Sequence, residues 1–214
     1  MLADLIAYPE PIIYLTSFLV GSIPFGLWVG RLFKAGDIRK RGSGNIGATN
    51  VSRIVGFRAG LLTFTLDLLK GAVLVLLLSR EGLVHAIGVW TGETFAFSLS
   101  ALWATGFFAV LGHCFSPWLH LKGGKGIATG FGALLVLSPV SALVGAIAYV
   151  LTFLDKKIGS ISSIAGLSLA SVSYLVLNRV GAHLWWGAAM VFLIILRHES
   201  NIDALLENRE QRFD

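Results

Sequence analysis

This sequence predicts an all-α polytopic membrane protein of about seven crossing helices, and three observations carry that prediction. Hydrophobic residues make up 55% of the 214-residue chain and charged residues only 14%, against about 25% charged in a soluble domain. Mean hydropathy is +0.77, so the chain lacks the polar surface to cover itself in water and lipid must cover much of it. The apolar residues also fall in runs that approach the ~20 positions needed to cross the hydrocarbon core. One domain over 1–214 is the natural organisation. The single cysteine, Cys114, excludes an internal disulfide. Net charge is +5, but placement matters more than size. Lys and Arg gather in short loops beside apolar runs, which suits phosphates and anionic headgroups and not nucleic acid. Asp4 and Glu10 stand where a secretory signal would carry its basic region, so no such signal is expected.

The first crossing is read at Pro11 to Phe33, with a kink at Pro24 and a close-packing face at Gly26-x-x-x-Gly30. Gly60 to Ser79 and Thr94 to Leu111 follow. Gly126 to Leu137 is too short to span alone. Ser138-Pro139 breaks the pattern and Val140 to Leu154 resumes it, which reads as a short helix diving in and a second returning. Ser160 to Leu177 and Ala182 to Leu196 complete the set; merging the short pieces, or treating them as re-entrant, would leave about five or six crossings. The loop after the first helix carries Lys34, Arg39, Lys40, Arg41, Arg53 and Arg58, and further basic groups stand at Lys122, Lys125, Lys156, Lys157, Arg197, Arg209 and Arg212. Seven spans with the N-terminus outside and a cytoplasmic C-terminus put all of them on the cytoplasmic side, which six spans could not do.

Three polar segments bear the chemistry. Arg41-Gly-Ser-Gly-Asn-Ile-Gly-Ala-Thr-Asn50 precedes Arg53. Its glycines, Gly42, Gly44 and Gly47, free the backbone for positive φ, so successive N–H groups can point into one anion-holding concavity. Ser43, Asn45, Thr49 and Asn50 add neutral polar groups, and Arg53 offers a fork suited to phosphate. The plain alternative is a flexible polar loop. The second segment, Lys122-Gly-Gly-Lys-Gly126, lies directly ahead of a helix and makes an anion site there. It is no Walker A motif, because Leu119 and Gly126 stand where that motif needs Gly and Ser or Thr. The third is Arg197-His-Glu-Ser-Asn-Ile202, with His198 able to titrate near neutral pH and Asn201 one turn on. His198 and Asp203 also fit the His-x4-Asp dyad of larger glycerolipid acyltransferases.

Inside the apolar runs, Asp67 and Lys70 share a helical face, as a functional pair or as an ion pair that locks packing. Ser162 and Ser163 sit at the start of the sixth run. No spacing of His, Asp and Glu offers a convincing metal-ligand set, and no cofactor is expected. A transporter of a phosphorylated solute would also show intramembrane charges and glycine-interrupted helices. Against it, no inverted repeat is discernible and the polar motifs cluster on one side. A lipid-binding scaffold without turnover is a third reading.

Together these residues resemble the bacterial acyl-phosphate:glycerol-3-phosphate acyltransferase family (PlsY). The resemblance runs from Gly21-Ser-Ile-Pro-Phe-Gly26 through the Gly-Ser-Gly-Asn-x-Gly-Ala-Thr-Asn of 42–50 and Asp67-Leu-Leu-Lys-Gly71. It continues through Gly112-His113, Gly123-Gly-Lys-Gly126 and the His-x-x-Asn-Ile of 198–202. It implies transfer of an acyl chain from acyl phosphate to the 1-hydroxyl of glycerol 3-phosphate, giving lysophosphatidic acid and phosphate in the bacterial inner membrane. By the same resemblance Ser43, Arg53, Lys125, Ser163, His198 and Asn201 contact the glycerol phosphate, while the glycine-rich segments cradle the donor's phosphate. Lys125, His198 and Asn201 are taken as catalytic. Ser43, Asn45, Gly47, Thr49, Asn50, Arg53, Asp67, Gly123, Gly124, Gly126 and Ser163 are taken as substrate-binding. Departures stand at Ser116-Pro117, at His120, at Asn208 where Gly is usual, and in a long tract near Glu81 to Glu93.

Overall fold

The computed structural model describes residues 10–80 and 97–213, and helix is the only regular secondary structure among them. The start of the third crossing at Thr94 and the tract from Glu81 to Glu93 lie outside the described residues. Helix α1 (Glu10–Gly21) and α2 (Phe25–Leu32) form the first crossing; α3 (Ala48–Val55) is short and amphipathic; α4 (Phe57–Leu78) and α5 (Leu99–Cys114) are long and apolar. Helices α6 (Ile127–Leu137) and α7 (Pro139–Lys156) make the predicted broken pair. Then come α8 (Gly159–Leu177), α9 (His183–Leu196) and α10 (Glu199–Leu206).

Among the described residues, five segments are long and apolar enough to cross a membrane: Glu10–Leu32, Phe57–Leu78, Leu99–Leu119, Pro139–Lys156 and Gly159–Leu177. At 11 residues, α6 extends about 16 Å, roughly half the ~30 Å hydrocarbon core. Pro139 opens α7, where its missing N–H costs nothing.

The break at Pro24 is closed by side chains from elsewhere. Pro24 cannot donate a helical hydrogen bond, so the chain between α1 and α2 leaves carbonyls without their usual partners. The Ser116 hydroxyl donates to the Ser22 carbonyl at 2.6 Å, and the Lys70 ammonium donates to the Ile23 carbonyl at 2.8 Å. Lys70 also pairs with Asp67 at 2.7 Å, and the same carboxylate lies 3.6 Å from His113 Nδ1. Asp67, Lys70 and His113 are only 2%, 4% and 4% exposed. A cationic side chain inside an apolar bundle persists only when paired and hydrogen-bonded, and Lys70 has both an anion and a main-chain acceptor.

Helices come into backbone contact where a glycine of one meets the main chain of the next. At the α1–α5 crossing, a Cβ on Gly21 would strike the Ala109 carbonyl and one on Gly112 the Phe18 carbonyl. The α4–α6 crossing repeats this with Gly71 against Thr129 and Gly132 against Leu68, and α7–α8 does so with Gly145 and Gly166. Lipid gives little hydrophobic drive for helices to associate, so such backbone contact supplies the packing energy. The predicted Gly26-x-x-x-Gly30 face is used as well: Gly26 abuts the Ile46 carbonyl and Gly30 the Ile38 side chain, which seats the loop after α2. Trp103, Tyr174, Met190 and Ile194 fill the space between α5, α8 and α9.

The crossings place the ends. Helices α1–α2, α5, α7 and α9 finish where α4, α6 and α8 begin, so the basic segments gather at one end of the bundle, as their spacing predicted. Gly71→Leu should force α4 from α6 at a cost of about 1–3 kcal/mol. A lowered thermal-unfolding midpoint in detergent would show it; a wild-type midpoint would refute the close contact.

Candidate active site

A cavity of about 640 Å³ opens at that end, lined by residues of all three predicted segments. Ser43, Asn45 and Arg53 come from the first, Gly123 and Lys125 from the second, and Asn201 from the third. Asp37, Arg39 and Glu210, which the motif reading did not select, also line it.

The first loop is organised around one amide. Asn50 is buried, and its Oδ1 accepts the Ser43 N–H at 2.9 Å. Its Nδ2 donates to the carbonyls of Asn45 at 2.7 Å, Ile38 at 3.2 Å and Arg41 at 3.3 Å. Gly42 and Gly44 adopt the expected positive φ, 57° and 69°. Gly47 does not: with φ −74° it is the extended cap of α3, and its N–H goes to Asn45 Oδ1. The Gly44 N–H goes to the Arg41 carbonyl. The expected nest of free N–H groups is therefore largely spent on the loop itself. Asn50 is a loop organiser, and Thr49 lies outside the cavity lining against Gly159.

The glycine loop ahead of α6 is likewise tied to the protein. The Gly123 N–H donates to the Cys114 carbonyl and the Gly124 N–H to the His113 carbonyl, each at 3.0 Å. Arg197 then forks onto the other face, its Nε donating to the Gly124 carbonyl at 3.1 Å and its second nitrogen to the Gly123 carbonyl at 3.0 Å. A Cβ on Gly124 would run into the His113 ring. Gly126, at φ 87°, is the left-handed cap of α6, wedged against Val110, Cys114 and Ile194. Gly123, Gly124 and Gly126 thus hold the loop in place, which aims Lys125 at the cavity. Arg197 opens the third polar segment but was given no role there beyond its charge; its clamping of 123–124 depends on a partner more than 70 positions away.

Lys125 donates to Asn201 Oδ1, and Asn201 Nδ2 donates to Glu210 Oε1 at 2.6 Å. Glu210 also accepts from the Ser160 hydroxyl at 2.8 Å. Burial pushes the Lys125 ammonium down to about 8, against the pull of Glu210. Arg53 is held below its usual range by burial, again against Glu210, and its buried Nε has no acceptor among the described residues. His198 is buried beside Lys125, and its Nδ1 faces the Ile194 carbonyl at 2.8 Å. A carbonyl only accepts, so Nδ1 carries the proton and Nε2 is left as acceptor. Burial holds the imidazole's pKa below its usual range, against the Ile194 carbonyl, and so favours the neutral ring. Asp203 is exposed and Nδ1 is engaged with Ile194, so the His-x4-Asp dyad does not form. At the rim the Arg39 fork holds the Asp37 carboxyl down to about 2.

Asp67 and Ser163 lie away from the cavity lining. Asp67 is closed into its pair with Lys70, and the Ser163 hydroxyl donates to the Gly159 carbonyl at 2.8 Å within α8. That closure also removes the chief support for a transporter, since the intramembrane charges satisfy each other. Asn208, the departure from Gly, has φ 56°. Its N–H bonds to the Leu205 carbonyl at 3.1 Å and that of Arg209 to the Ala204 carbonyl at 2.7 Å, a Schellman closure that turns Glu210 back toward the pocket. Asn tolerates the left-handed region better than most residues, so the substitution keeps the turn.

Fold and site thus define an integral membrane helical bundle that gathers cationic and neutral polar groups in one cavity at one end. A family model described as glycerol-3-phosphate acyltransferase matches residues 11–208. The glycerol-3-phosphate acyltransferase of Aliarcobacter butzleri (strain RM4018) is 37% identical over 97% of this chain and 98% of its own. That of Anaeromyxobacter dehalogenans (strain 2CP-C) is 40% identical over 91% and 92%. The crystal structure of PlsY, an integral membrane glycerol 3-phosphate acyltransferase, in its glycerol 3-phosphate form is similar with a TM-score of 0.83 and 36% identity, covering 96% of each chain. Its lysophosphatidic acid form gives 0.81 and 35%. The chain belongs to the glycerol-3-phosphate acyltransferase family.

Arg197→Lys keeps the charge but cannot fork. It should cut acyltransferase activity about tenfold while leaving the protein folded; unchanged activity would refute the clamp.

Proposed function

We propose that this protein transfers a fatty acyl group from acyl phosphate to the 1-hydroxyl of glycerol 3-phosphate, releasing lysophosphatidic acid and phosphate. The observation that carries the reading is the meeting of Lys125, Arg53, Ser43, Asn45 and Asn201 around one cavity. Two anionic substrates need such a set of donors, and the acyl chain can lie in lipid along the apolar helix faces. The whole chain acts as one domain of seven crossings in the bacterial inner membrane, N-terminus outside, with the cavity facing the cytoplasm where both substrates are soluble or interfacial.

In this mechanism the substrate hydroxyl oxygen attacks the acyl carbonyl carbon. The bond from that carbon to the phosphate oxygen breaks, and phosphate leaves with the bonding pair. A mixed anhydride already has a good leaving group, so the protein's contribution is orientation and stabilisation of developing negative charge. Lys125 binds the leaving phosphate, Arg53 and Ser43 hold the glycerol phosphate, and Asn201 fixes Lys125. His198 Nε2 takes the hydroxyl proton, which its neutral state allows. No acyl-enzyme forms, because Cys114 is buried and no serine stands in a triad among the described residues.

Detergent-solubilised protein should release phosphate from acyl phosphate only with glycerol 3-phosphate present, and should not use acyl-CoA or acyl carrier protein. Turnover with either alternative donor instead would overturn the donor assignment. Lys125→Ala should lose about a hundredfold in kcat/KM; near wild-type turnover would remove Lys125 from the chemistry. His198→Ala should lower kcat, and a change confined to KM would make His198 a binding residue only. With its ammonium held at about 8, Lys125 is charged below that pH and neutral above it. Activity should therefore fall as pH rises through 8, and Lys125→Arg should carry the plateau higher; identical profiles would refute the charge requirement.

A further inference from the structure

We infer that Phe213 is a positioning residue for glycerol 3-phosphate, holding the Arg53 guanidinium at the cavity wall from behind. The inference rests on the reading of Arg53 as a phosphate ligand.

After the Schellman turn at Asn208 the chain runs back across the mouth of the bundle. Glu210 is tied to Asn201 and Ser160, and the Phe213 N–H donates to the Lys157 carbonyl at 2.8 Å. The Phe213 ring stands edge-on to Phe153 of α7, centroids 5.3 Å apart, and Phe153 stacks on Tyr149 at 6.1 Å with planes 6° from parallel. Phe213 is therefore fixed by contacts that do not involve Arg53. The free face of its ring lies under the guanidinium, whose Cζ sits 4.5 Å from the centroid. The Arg53 contact to the Gln211 carbonyl is long at 3.4 Å, and Nε has no acceptor among the described residues.

This geometry separates two jobs. The ring face attracts the cation without consuming its N–H groups, so position is fixed while hydrogen-bonding capacity stays available. An acceptor in the same place, such as a carboxylate, would hold Arg53 as firmly but occupy the fork that a phosphate needs. The same aromatic row reaches the other end of α3, where the Tyr149 hydroxyl meets Thr49. Helix α3 is thus braced from α7 at both its first and its last turn.

The test is steady-state kinetics on the full-length protein in detergent, with acyl donor saturating and glycerol 3-phosphate varied. Phe213→Ala should raise KM for glycerol 3-phosphate about fivefold and leave kcat within about twofold. Phe213→Trp, with a stronger π face, should restore KM, whereas Phe213→Leu should behave like Phe213→Ala. In an Arg53→Ala background, Phe213→Ala should add nothing. A wild-type KM in Phe213→Leu, or in Phe213→Ala, overturns the inference. If Arg53→Ala itself leaves KM unmoved, the failure belongs to the reading of Arg53; if Arg53→Ala raises KM and Phe213→Ala does not, it belongs to Phe213.

Discussion

Two main-chain hydrogen bonds, from Gly123 to the Cys114 carbonyl and from Gly124 to the His113 carbonyl, fasten the loop before α6 to the end of α5. The site depends on that join. It fixes the level at which Lys125 leaves the backbone, and Arg197 closes it from the opposite side. It also links the cavity to the interior, because the His113 ring lies directly beneath Gly124 and faces Asp67. A backbone segment pinned on both faces loses little further freedom when substrate arrives, which is what preorganisation requires.

The polar groups divide into those that build the cavity and those left for a ligand. Asn50 spends both ends of its amide on the first loop, and the glycines of 123–126 are engaged in packing and hydrogen bonds. Lys125 and Arg53 differ. Each is partly stripped of water, with Glu210 as the compensating charge nearby. Cations kept in such surroundings gain more from an incoming phosphate than fully hydrated ones would, since much of their desolvation cost is already met.

Much of this was readable in the sequence, where local rules apply. Apolar run length located the helices, Ser138-Pro139 marked the break between α6 and α7, and the distribution of Lys and Arg foretold that the basic loops share one end. Ser43, Asn45, Arg53, Gly123, Lys125 and Asn201 were selected beforehand and line the cavity. The misses share a physical cause. Whether a glycine N–H is free or engaged depends on a carbonyl elsewhere in the fold, and no local pattern announces the pairing of Gly124 with His113. Arg197 and Glu210 were visible only as charges, because their partners are fixed by tertiary approach. Asp67 carried the signature of a functional intramembrane acid, yet Lys70 and His113 absorb it. Asn208 shows the opposite case: a departure from Gly was noticeable in the sequence, and its left-handed backbone explains why Asn can stand there.

The kink between α1 and α2 has an evolutionary consequence. The Ile23 carbonyl is one of the two polar groups that stabilise Lys70 in the apolar interior, and it is available because Pro24 interrupts the helix. Straightening the chain at Pro24 would withdraw that acceptor from a buried ammonium, and removing the ammonium would leave Asp67 without its cation and the Ile23 carbonyl with the Phe25 N–H alone. Neither position can drift alone without a penalty at the other. Stable variants should therefore be reached by exchanging 24, 67 and 70 as a set, a coupling between two helices that a one-at-a-time mutational scan would record only as three intolerant sites.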